Sequence, residues 1–556
     1  MPKIDVSYSD LCSLIGKKIS TADLRRHVFF AKAELEGVEG DTLKLDVKDT
    51  NRPDLWSAEG IARELRGRLV GERGLPKYEI KKSGLVVNVD EKVAKVRPLT
   101  VCAVAKNLDI DEIVLSQLIQ LQEKVAGTLG RGRKEVAIGV YDLSRIKSPI
   151  KYTTAKLNKK FVPLDFKEEM TIKEVLEKHP KGKEFGHLVE GMKEIPIFID
   201  SAGEVLSIPP IINSNFTGKV SEKTKEIFIE CSGFDFKFLM PALNVLVAAL
   251  IDRGAKVESV KVVYPRKVIF TPDLTPKKIS VDVNFVNEIS GLGLSTKEVA
   301  KLLEQARYEI VGMRGKKIEL LYPAYRQDIM HQRDVVEDVI ISFGYSRIRP
   351  EPIKYKTKGE ISKMEVLADK VIEKMVGLGF QEILSYSLTN KEFLFNRMNM
   401  NEEKVVEIEN PASLNWNVFR NWLLPSLMDF YSNNQHVEYP QRIFEVGDVI
   451  LIDEKRETRT SDVRKLAAAI SDSRVSYDDI ASVLDAFMSS LGVKYKLRRS
   501  RHPSFIEGRV AEILFKSKSI GLIGELHPLV LKNWKIEMPV VTFEIDLEKF
   551  ISESSI

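Results

Sequence analysis

Cysteine is scarce in this chain of 556 residues. Cys12, Cys102 and Cys231 stand far apart with no close-spaced pair. That argues against a disulfide framework or a structural zinc site and leaves them as ordinary small residues. Long apolar runs are missing as well. The longest, VLVAAL at 245–250, falls far short of the roughly 20 residues that cross a bilayer. The opening MPKIDVSYSDLCSLIGKK has no apolar core followed by a small-residue cleavage site. No membrane partner is expected, and the cytoplasm is the expected location. A surplus of one charge is nearly absent too, since 85 Lys and Arg against 80 Asp and Glu leave +5. So mild a surplus does not by itself announce nucleic acid. The basic stretches GRGRK (130–134) and KLRRSRH (496–502) read first as solvated loops. Low-complexity tracts and internal repeats are also lacking.

What is present is 44% apolar and 30% charged residues, the composition of a soluble globular protein. The length is too great for one core and predicts about three to five domains. Residues 1–90 contain KDTNRPDLWSAEGIARELRG (48–67), where Pro53 and Asp54 predict a helix start with Leu55, Ile61, Ala62 and Leu65 on its apolar face. Residues 91–265 alternate strands and helices. EVAIGVYDL (135–143) reads as a buried strand, and 227–265 as strand, loop, helix, a cap at Gly254, then strand, with Pro241 awkward inside the helix. Residues 268–346 form a compact unit whose LSTKEVAKLLEQA opens with a capping box, Ser295 and Glu298. A Pro- and Lys-rich connector at 347–360 leads into 360–556. There, strand candidates at 382–388, 442–452, 509–515 and 540–547 predict a largely antiparallel sheet. The expected fold class is α+β and multidomain.

One stretch, YRQDIMHQRDVVEDVIISFGY (325–345), gathers Asp328, Asp334, Glu337 and Asp338. On a helix from Asp334 to Phe343 the last three share a face at i, i+3 and i+4. Like charges so placed repel by roughly 0.2–0.5 kcal/mol per pair. Carboxylates without a His or Cys ligand favour a hard cation, Mg²⁺ first. The same acids in the first turns of a helix also suit its dipole with no ion at all. Both readings stand at this level. His331, beside them, reads as a hydrogen-bonding neighbour, and the remaining histidines show no ligand spacing.

Arg326–Ile329 as R-x-D-I, Asp334–Asp338 as D-x-x-E-D and Phe343–Tyr345 as F-G-Y resemble the signature of the phenylalanyl-tRNA synthetase beta-subunit family. The resemblance recurs along the chain in KDTNRPDLWSAEGIAREL, AIGVYDL, FVPLDF, HPKG, PPIINSNFTGKV, the ENPASLNWNVFRNWLLPSLMDFYSNN block, IFEVGDV and GLIGELHP. It is closest to the archaeal type. It implies an N-terminal scaffold (1–90) with Asn51, Arg52 and Asp54 in an interface block, and an α/β editing-type domain (91–265). It further implies a small metal-carrying α+β domain (268–346) and a degenerate class II synthetase-like antiparallel domain (360–556). The implied cofactor is Mg²⁺ on Asp328, Asp334, Glu337 and Asp338, shared with an alpha subunit that binds ATP. The implied partners are that subunit, in a heterotetramer of two alpha and two beta chains, and tRNA-Phe.

A working class II site uses R-x-E to hold ATP, whereas FRNWLLP keeps Arg420 but follows it with Asn421 and Trp422. No residue catalytic for aminoacylation is therefore assigned to this chain. The resemblance implies a second activity, hydrolytic editing of tyrosine mischarged onto tRNA-Phe. An apolar pocket rejects an added hydroxyl by only about 10². The editing candidates are Asn213, Ser214, Ser232, Gly233 and Asp235, although Phe234 is bulky where the family often has a small polar residue. Equally, Asp235 serves as a helix cap and Asn213 with Ser214 as a turn. Two rival readings remain. One is a non-enzymatic assembly or nucleic-acid-binding protein on the same architecture. The other is a metal-dependent nuclease or phosphatase, against which the acids lie on one short helix with no His or Lys to complete a two-metal site.

Overall fold

The helix expected to begin at Pro53 begins later. Pro53–Leu55 forms a single tight turn, and the helix proper runs Ala58–Leu69, because Ser57 adopts an extended conformation and its side chain accepts from the Gly60 amide. Gly60 lies so close to the preceding turn that a Cβ there would sit 1.6 Å from the Asp54 carbonyl oxygen. Only glycine allows the helix to fold back against the Asn51–Asp54 turn.

The computed structural model describes residues 2–352 and 357–551, so residues 353–356 of the expected connector lie outside the described residues. The chain divides into two units, Met1–Pro352 and Ile353–Ile556. The first unit carries two three-stranded sheets and one ten-stranded sheet. Lys3–Ser7, Ala33–Glu39 and Thr42–Val47 make the first small sheet, which packs with the Ala58–Leu69 helix. Lys277–Asp282, Glu309–Arg314 and Lys317–Tyr322 make the second, covered by the helices Thr296–Gln305 and Gln332–Phe343. The Ser295–Glu298 capping box forms as expected.

The ten-stranded sheet is mixed. Ile80–Val89, which the sequence groups with the first region, lies inside it, parallel to Lys256–Val263 and to Ile150–Lys156. Its next-to-last strand, Glu226–Gly233, is flanked by Leu99–Lys106 and Val136–Asp142 and is buried on both faces. Alternation then separates its side chains. Ile227, Ile229 and Cys231 pack under the Phe236–Asp252 helix, while Phe228 faces the opposite core. That helix starts at the Asp235 cap and runs through Pro241 without ending. The sheet's order begins at Ile212–Asn213 and Val205–Ile208 and finishes at Val136–Asp142. Those two ends meet: the Tyr141 hydroxyl donates to Ser207 Oγ at 2.7 Å, and Asn213 Nδ2 donates to the Val140 carbonyl at 3.2 Å.

The second unit is built on a seven-stranded sheet, antiparallel apart from the short Gln381–Glu382 strand beside Gln441–Ile452. Helices Lys363–Gly377 and Tyr477–Ser490 cover one face, and Leu424–Asn433 and Pro528–Trp534 the other. The strand expected over 382–388 is cut short. The Ser385 amide turns to the Glu445 carboxylate, not to a neighbouring strand, and Leu384 and Tyr386 face solvent.

Candidate functional site

Where the two ends of the ten-stranded sheet meet, they enclose a pocket of about 150 Å³. Its floor is Glu230, on the inward face of the Glu226–Gly233 strand, and Ser207, Pro209, Pro210 and Asn213 form one wall. Glu230 is buried. Its Oε1 lies 3.1 Å from the oxygen of the Tyr141 hydroxyl, whose one proton goes to Ser207, and its Oε2 is a buried oxygen without a hydrogen-bond partner among the described residues. Burial pushes this carboxyl up to about 8, so at neutral pH it holds its proton. The pocket thus ends in a neutral carboxyl able to give or take one hydrogen bond. His179 lines the entrance, but both ring nitrogens are engaged, Nδ1 by the Lys181 amide and Nε2 by the Leu164 carbonyl. It braces the wall and is not poised as a base.

Of the editing candidates read from sequence, Asn213 lines this pocket and the other four do not. Ser214 caps the short Asn215–Gly218 helix by accepting from the Thr217 amide. Arg97 holds Ser232 through its hydroxyl and carbonyl. A Cβ on Gly233 would collide with the Glu135 carbonyl at 2.0 Å. Asp235 caps the Phe236–Asp252 helix by accepting from the Lys237 amide, a bond that lowers its carboxyl. The bulky Phe234 stacks against Arg97 away from the pocket lining. Sequence reasoning missed Glu230, Tyr141 and Ser207. The available signal was a lone acid inside an otherwise uncharged, strand-forming run, IFIECSG, where an ionisable group is rare unless it has a task.

The acidic helix forms as Gln332–Phe343, and its four acids divide into two pairs. Asp328 and Asp338 point inward. Arg326 Nε donates to Asp328 Oδ1 at 2.8 Å and Nη2 donates to Asp338 Oδ2 at 2.8 Å, while the Tyr308 hydroxyl donates to the same Asp338 oxygen. Burial alone would raise the Asp338 carboxyl, but Arg326, Lys32 and Arg52 outweigh it and hold it down at about 2. A second R-x-D fork faces the first. Arg52, almost fully buried, donates twice to Asp54, at 2.9 and 2.8 Å, and its Nε lies 3.8 Å from Asp328. Asn51 is exposed in the turn just before it. The outer acids differ. Asp334 caps its helix by accepting from the Met330 and His331 amides, and Glu337, 47% exposed, pairs with Lys32 at 2.9 Å.

Four carboxylates converging on one ion within this chain do not fit that arrangement. Among the described residues no group of three or more His, Cys, Asp or Glu is placed to hold a metal. The physical reason is the cation set Arg326, Arg52 and Lys32, which already balances the inner pair. Asp334 and Glu337 are the two whose chemistry suits an ion completed by ligands from another chain.

In the second unit, Arg420 is 3% exposed and fully engaged. Its Nη1 lies 2.8 Å from Glu445 Oε1 and 2.7 Å from Ser385 Oγ, and its Nε donates to the Asp448 carbonyl. Its Nη1 and Nε are thus held by groups of this same unit. Among the described residues no helix is long and apolar enough to cross a membrane.

Three family models match in order: the B3/4 domain over residues 106–241, the tRNA synthetase B5 domain over 279–345 and the phenylalanyl tRNA synthetase beta chain CLM domain over 349–547. The phenylalanine–tRNA ligase beta subunit of Pyrococcus abyssi is 52% identical over 551 residues, covering 98% of this chain and 99% of the relative. That of Archaeoglobus fulgidus is 39% identical, covering 99% of each. A crystal structure of an N-terminal fragment of the phenylalanyl-tRNA synthetase beta-subunit from Pyrococcus horikoshii matches with a TM-score of 0.61 at 52% identity, covering 62% of this chain and all of the fragment. With agreement of this extent from end to end, the chain belongs to the phenylalanine–tRNA ligase beta-subunit family, a component of an aminoacyl-tRNA synthetase.

Proposed function

We propose that this chain works in the cytoplasm with an alpha subunit, in a heterotetramer of two chains of each kind, to charge tRNA-Phe with phenylalanine, and that it also hydrolyses mischarged tyrosyl-tRNA. On this reading ATP and phenylalanine bind the alpha subunit. The engaged Arg420 supports that division, since the one arginine that a class II site would turn toward ATP is locked into Glu445 and Ser385 here. Mg²⁺ fits Asp334 and Glu337 with further ligands from the alpha subunit, where it would supply charge neutralisation at the contact between chains. Arg326 and Arg52 hold the two inner acids as the support for that helix.

The observation that carries the editing reading is the unpartnered Oε2 of Glu230 at the floor of a narrow pocket. A phenol entering the pocket hydrogen-bonds to that neutral carboxyl. A phenyl ring leaves it unsatisfied, and sites built around such a bond discriminate by about 10⁴–10⁵. Ser207 and His179 both line the pocket, but Ser207 Oγ meets Tyr141 and both His179 ring nitrogens are engaged by backbone groups, so a positioned water is the fitting nucleophile. The test has two stages. ATP-dependent attachment of phenylalanine to tRNA is expected from a mixture of the two subunits and from neither alone. Hydrolysis of tyrosyl-tRNA by the mixture is then expected to fall by about a hundredfold or more in Glu230→Ala. Synthesis by this chain alone, or unchanged hydrolysis in a folded Glu230→Ala complex, overturns the corresponding half.

A further inference from the structure

The Leu424–Asn433 helix brings Asp429 to the base of a second pocket, of about 220 Å³, wholly within the second unit. Four aromatic residues surround it: Tyr386, Phe393, Trp416 and Phe430. Tyr386 and Trp416 meet edge to face, with ring centroids 5.5 Å apart. One carboxylate among four aromatic rings is the chemistry of a cation receptor. The ring faces carry negative potential that attracts a cation. The carboxylate adds a full charge at the base.

Asp429 lacks a counter-ion of its own. Oδ1 accepts from Asn433 Nδ2 at 3.2 Å, and Asp429 makes no ion pair among the described residues. Burial raises its carboxyl, outweighing the opposing pull of Arg397, which makes no ion pair with it, and of the bond from Asn433. The neighbouring cations are committed elsewhere. Arg397 stacks on Phe393 and Trp534 and lies 3.6 Å from Glu392, while Lys391 pairs with Glu407 at 2.7 Å.

The surroundings of the pocket indicate what kind of molecule carries the missing cation. Of the pocket's lining residues, Leu384 is 85% exposed and Tyr386 78%. Large apolar side chains so fully in water mark a surface that another protein covers. An aromatic, charge-bearing pocket ringed by apolar side chains has the anatomy of a binding hot spot, where arginine is a preferred insert. We propose that this pocket receives an arginine or lysine side chain of the alpha subunit, seated among Tyr386, Trp416, Phe393 and Phe430 against Asp429. The inference rests on the two-chain reading above and adds to it an anchor point and the chemistry of the partner residue.

The test titrates the full-length chain with the alpha subunit of the same organism by sedimentation velocity at low and high salt. Asp429→Asn is expected to weaken association by at least about tenfold and to flatten its salt dependence. Asp453→Asn, a surface acid outside the pocket, serves as the control and is expected to match the wild type. Should Asp429→Asn melt early, Tyr386→Ala replaces it. That exposed ring is expected to affect association but not the melting temperature. Equal affinities for wild type, Asp429→Asn and Tyr386→Ala overturn the pocket while leaving the two-chain reading intact. A folded alpha subunit that binds none of them removes the two-chain reading itself. Stabilisation of the chain alone by ethylguanidinium, lost in Asp429→Asn while subunit affinity is unchanged, overturns protein docking in favour of a small cation.

Discussion

Glu230 shows how one residue can carry both a function and a cost. Its folded carboxyl titrates at about 8 against 4.5 for an ordinary glutamate. The folded state therefore keeps a proton that the unfolded chain releases. The contribution to stability is fully present below about pH 4.5 and is lost as pH rises through about 8. Glu230→Gln removes the titration. Thermal melts from pH 5 to pH 9 are expected to show the wild type losing ground to the variant as the medium becomes alkaline. Parallel curves would show that the carboxyl is already ionised in the fold. Little of this residue's role could be read in advance. A glutamate in IFIECSG is conspicuous, but the tyrosine that meets it and the serine that lines the pocket with it lie 89 and 23 positions away in the chain, by subtraction of 141 and 207 from 230. No local pattern links them. The stretch Ser232–Asp235 was singled out by its resemblance to the family's loop pattern. Three ordinary demands explain it: a ligand for Arg97, room for the Glu135 carbonyl and a helix cap.

Among the elements, the periodic ones were legible and the long-range ones were not. The acidic helix, the Ser295 capping box and the antiparallel strands of the second unit follow from spacing within a few residues. What spacing could not convey is that the Asn51–Asp54 turn and the Arg326–Asp328 turn form facing R-x-D forks, 274 positions apart by subtraction of 52 from 326. Nor could it convey that the acids would find their counter-charges in arginines and a lysine. Arg326→Ala leaves Asp328 and Asp338 buried without their main cation. Removing one member of such a buried pair typically costs about 3–5 kcal/mol. Urea unfolding of the variant is expected to show a loss of that order in the transition that includes this helix. A loss under about 1 kcal/mol would mean that water or another cation already serves those acids.

For the whole molecule, the division of the acids separates folding from assembly. Since the inner pair is neutralised within the chain, chelation of divalent ions by EDTA is expected to leave the melting temperature of this chain unchanged while weakening its association with the alpha subunit. Sedimentation of the mixture with and without MgCl₂ reads the second effect. A fall in the melting temperature of the isolated chain would return the metal to the inner acids. The second unit carries a different constraint. Glu445 is 1% exposed, and among the described residues the cation paired with it is Arg420. Any single substitution that freed Arg420 to meet a nucleotide would strand a buried carboxylate, and any that first removed Glu445 would loosen the arginine with nothing to bind. On the division of labour proposed above, turning this unit toward synthesis would require at least two coordinated changes, one at Arg420 and one at Glu445, each harmful alone.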